Sequence, residues 1–212
     1  MTRIQGRILR RLLFVGIITI ATPILANTET GDLAPVARHE KIGQLVTEFI
    51  QKSHYRHAAV EDDLSSKVFA YYIEALDSNR MYLLEADVQA FELYRHRLDD
   101  MVRSEPLNPV FDMFDVYRTR VSERLQYAMK QIEAEPDFTV DESYEFDRET
   151  LPWATTKEEL DKIWRKRVKN DALSLALADK EWSEIQEILD KRYSRFLSAW
   201  TRLKATTCSK PL

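Results

Sequence analysis

Glycine is almost missing from this chain. Of its 212 residues only Gly6, Gly16, Gly31 and Gly43 are glycine, so the 169 residues from Gln44 onward have none. Phosphate-cradling loops, dinucleotide-binding turns, tight β-hairpins and serine nucleophile elbows all need backbone at positive φ or in close approach to a ligand, which glycine supplies. Those nucleotide and hydrolase sites are excluded. Cysteine is scarcer still. Cys208 is the single thiol, so no internal disulfide can form. A catalytic cysteine needs a base held nearby, and no histidine follows His96, so Cys208 reads as an exposed, incidental thiol. Positive charge is in deficit as well, with 31 basic against 35 acidic side chains and a formal net charge of −4. Arg3, Arg7, Arg10 and Arg11 stand in the first 26 residues, which hold no acid. The remaining 186 residues therefore carry 27 basic and 35 acidic groups, a net charge of −8. Polyanion binding needs the opposite balance, so nucleic acid is excluded as a partner.

The four arginines are followed by an uncharged stretch from Leu12 to Ala21 and then by Thr22-Pro23-Ile24-Leu25-Ala26. A bilayer span takes about 20 apolar residues, and Pro23 interrupts this run first. The layout is that of a secretory signal peptide over 1–26, with Ala26 as the last residue removed. Residues 27–38, with Gly31 and Pro35, read as a flexible leader. The length that remains suits one domain with one core.

From there the pattern is helical and predicts an all-α single domain of about six helices over 39–205, with an unstructured tail over 206–212. Ile42, Leu45, Val46, Phe49 and Ile50 fall at i, i+3, i+4, i+7 and i+8, one face of a first helix. Leu64, Val68, Phe69, Tyr72, Ile73 and Leu76 form the stripe of a second, stopping at Asp77-Ser78-Asn79. A third is expected over roughly 85–103, with Val88, Phe91, Leu98, Met101 and Val102 inward. Asn108 as N-cap with Pro109 behind it starts a fourth, which runs through Tyr117, Val121, Leu125 and Ile132 to Pro136. Thr155 with Glu158, or Thr156 with Glu159, offers a capping box for a fifth helix carrying Leu160, Ile163, Trp164 and Val168. After Asp179 a sixth carries Trp182, Ile185, Leu189, Phe196, Trp200 and Leu203.

Between Glu135 and Trp153 lies the one long irregular segment (135–153), with Tyr144, Phe146 and acids at Asp137, Asp141, Glu142, Glu145, Asp147 and Glu149. Connections this long are uncommon and often functional. The acids lack the alternating order and the glycine of a calcium loop, so the segment reads as a strap whose aromatics pin it to the helices. His54 and His57 are three apart, but no third donor has the spacing of a zinc site. Asp99-Asp100 and Glu158-Glu159 read as solvated helix surface. Lys162, Arg165, Lys166, Arg167 and Lys169 interleave with Glu158, Glu159 and Asp161, which predicts i, i+4 ion pairs within the helix. No catalytic, cofactor-binding or metal-binding residue is assigned.

Ser53-His54-Tyr55-Arg56, Leu64-Ser65-Ser66-Lys67-Val68-Phe69, and Ala75-Leu76-Asp77 leading to Tyr82-Leu83-Leu84-Glu85-Ala86-Asp87-Val88 add a further signal. With Phe138-Thr139, Pro152-Trp153 and Lys191-Arg192-Tyr193, these segments resemble the amino-terminal helical domain of periplasmic tail-specific (carboxy-terminal processing) proteases. The resemblance covers roughly 41–203 and rests on the order of many short motifs. Members of that family are large periplasmic endopeptidases with a Ser/Lys catalytic pair, a PDZ module that reads nonpolar carboxy termini, and helical domains framing the protease core. The resemblance implies a non-catalytic framing domain, without cofactor or metal. Its implied partners are the protease and PDZ portion, if separately encoded, and envelope protein substrates. Lys204 to Leu212 departs from the family pattern, which leads to the expectation of a frameshifted, prematurely stopped or split gene. The alternative is a stand-alone periplasmic helical interaction module.

Overall fold

The computed structural model describes residues 34–53 and 62–206. The signal segment 1–26, His54, His57 and Cys208 lie outside the described residues. Among the described residues there are seven α-helices and no strand: α1 (Ala37–Ser53), α2 (Asp62–Asp77), α3 (Glu85–Phe91), α4 (Leu98–Arg103), α5 (Asn108–Gln131), α6 (Lys157–Ala176) and α7 (Trp182–Thr206). The all-α reading holds. The extra helix comes from the third segment, which is two helices rather than one.

That split has a tertiary cause. A 3-10 turn, Glu92–Tyr94, follows α3, and the chain leaves helical geometry at Arg97 before α4 begins. Neither glycine nor proline marks the place. Instead Ser65 of α2, itself 1% exposed, donates its hydroxyl to the Arg95 carbonyl (2.8 Å) and accepts the Leu98 amide (2.9 Å). One buried hydroxyl thus satisfies two backbone groups that the break would orphan, which a buried site requires. Arg95 then lies over the Phe69 ring at 4.6 Å.

The largest helices form the main layer. α5 and α7 run antiparallel, with Gln186 bonded to the Ile132 carbonyl at one end and Phe114 against Trp200 at the other. α6 packs on both. The periodicity placed Tyr117, Val121, Leu125, Ile132, Leu160, Trp164, Val168, Ile185 and Leu189 inward, and these are buried, whereas Phe196 on the α7 stripe is 50% exposed. α6 and α7 are tied by Tyr193, 2% exposed, whose hydroxyl donates to Asp171 at 2.7 Å. Burial raises the Tyr193 phenol above its ordinary range, so it stays protonated.

Two local expectations change. Asn108 is the first residue of α5 and not its cap; Leu107 precedes it without a side-chain bond, and Pro109 sits in the first turn. At α6, Thr156 is the cap and accepts the Glu159 amide (3.2 Å), while the Glu159 carboxylate reaches back to the Thr155 amide (2.7 Å). The Thr156–Glu159 register is therefore the one used, shifted by a residue on its return bond.

The first helix departs most from its pattern. It starts at Ala37, inside the segment read as leader. Its apolar stripe faces outward: Ile42, Leu45, Val46 and Phe49 are 55%, 53%, 48% and 64% exposed. α1 lies on α4 through its other side, where Thr47 is buried and Gly43 meets the neighbouring backbone. A Cβ built at Gly43 would stand 3.0 Å from the Val102 carbonyl oxygen, so the absence of a side chain permits this crossing. His39 stacks on Phe111 of α5, ring centroids 5.6 Å apart.

Candidate functional site

The irregular strap and the loop it touches form the one extended non-helical surface among the described residues. The loop, residues 78–84, is built by the carboxylate that ends α2. Asp77 is 4% exposed and accepts the amides of Met81 (2.8 Å), Tyr82 (2.8 Å) and Leu83 (2.9 Å). Burial pushes its carboxyl up from the ordinary value, while the three amides pull the other way by favouring the charged form. Arg80 takes a left-handed conformation (φ 50°), which turns the chain back over α2. Trp164 of α6 donates its indole N–H to the Met81 carbonyl, and Leu83 is completely buried. Asp87 then caps α3 through the Leu84 amide and receives a bidentate pair from Arg120 of α5 at 2.9 and 3.0 Å.

The strap enters this arrangement at its far end. Leu84 and Ala154 form an isolated parallel bridge, and the Glu85 amide donates to the Ala154 carbonyl at 2.9 Å. Arg80 donates to the Leu151 carbonyl and lies over the Trp153 ring, 5.2 Å from its centre. At the middle, Glu142 accepts Arg165 (2.8 and 2.5 Å) and Lys169 (3.0 Å) from α6. Lys169 also bonds the Val140 carbonyl, and Lys166 bonds the Ser143 carbonyl. Arg165 first and Lys169 next hold the Glu142 carboxyl down at about 2.

Charge, then, and not only aromatics, pins the strap. Tyr144 is half-buried, but Phe146 is 68% exposed and packs edge-on against Tyr144, centroids 4.9 Å apart. The ion pairs expected within α6 are replaced by pairs to other segments. Arg165 and Lys169 reach the strap and Asp161 pairs with the buried Arg124 of α5, while Arg167 stays on its own helix, over Trp164 at 4.7 Å. A helical-wheel argument sees only neighbours on the same helix, so this redistribution was invisible to it. Nor was Asp99 solvated, since it is 6% exposed, whereas Asp100, Glu158 and Glu159 are exposed as expected.

Sequence reasoning passed over Asp77, Asp87, Arg120, Arg124 and Ser65 as individuals. Their signal was their place in the quoted motifs or in an otherwise apolar stripe: a charged or hydroxyl residue at an inward position needs a partner from elsewhere. His39 and His96 are far apart in their uses, one stacked on Phe111 and the other exposed. No three His, Cys, Asp or Glu side chains among the described residues stand together as metal donors. Between strap and α6 lies a trough of about 510 Å³, walled by Tyr144, Pro152, Trp153 and Ile163 and edged by Lys162 and Glu145.

Seven helices with one irregular strap, clasped where Glu142 meets Arg165 and Lys169, define an all-α domain. Comparison with known proteins places it further. Residues 46–210 match the family described as tail specific protease N-terminal domain, and the chain belongs to that family. A tail-specific protease of Haemophilus influenzae is 38% identical over 157 residues, 74% of this chain and 23% of that protein. The chain thus spans less than a quarter of that curated relative's length.

Proposed function

We propose that this chain is a non-catalytic framing domain of a periplasmic tail-specific Ser/Lys endopeptidase, one that holds its protease core and substrates without touching the scissile bond. The family membership carries this reading. It is supported by the glycine-free run from Gln44, which offers no nucleophile elbow. The arginine-led, apolar amino terminus supports export to the periplasm, and among the described residues no helix is long and apolar enough to cross a membrane.

A second reading, a stand-alone periplasmic interaction module, is favoured by the outward apolar face of α1. Both are tested on purified protein. A fluorogenic peptide with a nonpolar carboxy terminus should remain uncleaved by this chain, and turnover above a contaminant-free blank overturns both readings. Recovery of a Ser/Lys protease chain with the tagged protein from the envelope supports framing. Recovery of a stoichiometric partner that takes no part in proteolysis supports the second reading instead.

A further inference from the structure

The middle of the strap has the properties of an unpaired β-strand edge. From 141 to 145 the chain runs without turn or bend, and its side chains alternate: Asp141, Ser143 and Glu145 are exposed, Glu142 and Tyr144 half-buried. That is the two-residue period of extended backbone. Its carbonyls at Val140 and Ser143 are taken by Lys169 and Lys166. None of the amides of residues 140–147 donates to a described residue, whereas those on either side, Thr139 and Arg148, bond Asp137 and Asn79. A row of free amides along extended chain is a template for another strand.

The charges around that edge select the occupant. Glu142 is neutralised by Arg165 and Lys169, but Asp141, Glu145, Asp147 and Glu149 are exposed and have no ion-pair partner among the described residues. The trough beside it has aromatic and aliphatic walls in Tyr144, Pro152, Trp153 and Ile163, with Arg148, Lys162 and Lys166 as well as Glu145 and Glu159 in its lining. A strand added here would point alternate side chains into the trough and the others beside Asp141 and Glu145. Cross-strand neighbours of opposite charge are favourable and like charges opposite one another are not.

We infer that residues 141–145 take an extended segment of another polypeptide, alternating apolar and basic residues, as an added strand: main-chain bonds to the strap amides, apolar side chains in the trough, and lysine or arginine against the acids. Strand addition of this kind draws affinity from the backbone and selectivity from alternate side chains. The inference stands apart from the framing role, since it concerns only this face of the domain.

The experiment uses the purified chain and a fluorescein-labelled hexapeptide alternating Val and Lys, read by anisotropy and by amide exchange. Saturable binding with new protection at 141–145 is expected. Binding should weaken at least tenfold for the Val/Glu peptide and for a Val/Lys peptide N-methylated at alternate residues. It should also weaken at least tenfold in an Asp141→Lys, Glu145→Lys variant whose thermal melting matches the parent. Equal binding of the N-methylated peptide, no binding, or protection confined to α1 overturns the inference. Self-association that protects 141–145 without peptide overturns it too, because a second copy is then the occupant.

Discussion

Trp164 donates its indole N–H to the carbonyl of Met81 at 2.6 Å, across 83 residues of chain. Both residues are buried, and the bond joins the middle of α6 to the loop that leaves α2. The same loop is held from below by Asp77 and from the side by Ala154, so three distant segments meet on residues 81–85. This knot ties the loop between α2 and α3 to α6, and it gives the strap a fixed end.

Replacing Trp164 by Phe keeps most of the ring but leaves the Met81 carbonyl without a donor. A buried unsatisfied group costs about 1–3 kcal/mol, so urea denaturation should show a loss of that order. An unchanged midpoint would mean the bond contributes nothing.

At Asp77 the two natural truncations should separate. Asp77→Asn keeps one acceptor oxygen for the amides of Met81, Tyr82 and Leu83, while Asp77→Ala keeps none. The alanine variant should be less stable than the asparagine variant by about 2 kcal/mol or more in the same assay. Equal losses would show that the amides find water.

Acid should loosen the strap before it unfolds the helices. Glu142 is held at about 2, well below the ordinary 4.5, so its contribution is fully present above pH 4.5. It is lost as pH falls towards and through 2, when the folded form must take up the proton. Proteolytic nicking within 135–153, measured with an acid-tolerant protease, should rise over that window. In Glu142→Gln the nicking should be high at every pH. A flat profile in the parent would refute the assignment.

Gly43 is the contact point of α1. Gly43→Leu would drive carbon into the Val102 carbonyl, so amide exchange in α1 should quicken although leucine is the better helix former by roughly 0.8 kcal/mol. Retained protection would mean that α4 yields.

The outward stripe of α1 should make the isolated protein associate as concentration rises. Phe49, at 64% exposed, is its most open member, and Phe49→Glu should shift sedimentation towards monomer with little change in melting. A parent that stays monomeric at high concentration would sink this expectation.

Much of the helical domain could be read from residue order. Long, strongly periodic segments such as α5 and α7 announced both their type and their buried side, because a 3.6-residue repeat of apolar side chains has few other uses. Fidelity fell where a single polar residue decided the outcome. Ser65 splits the third helical segment from a distance, and nothing in residues 85–103 foretells it. The strap was legible as a strap, from its prolines and its missing periodicity, but not as a charged one. Its clasp depends on Arg165 and Lys169 turning away from their own helix towards Glu142.

The amino-acid sequence alone determined helix over sheet, the inward stripes of the long helices, and the exclusion of glycine-dependent chemistry. These follow from interactions within a few residues and from what a backbone lacking glycine cannot do. Tertiary structure decided which apolar stripe stays open on α1, where the third helix breaks, and which cation each carboxylate meets. Those outcomes turn on groups far apart in the chain competing for the same partners, a contest that local order does not encode.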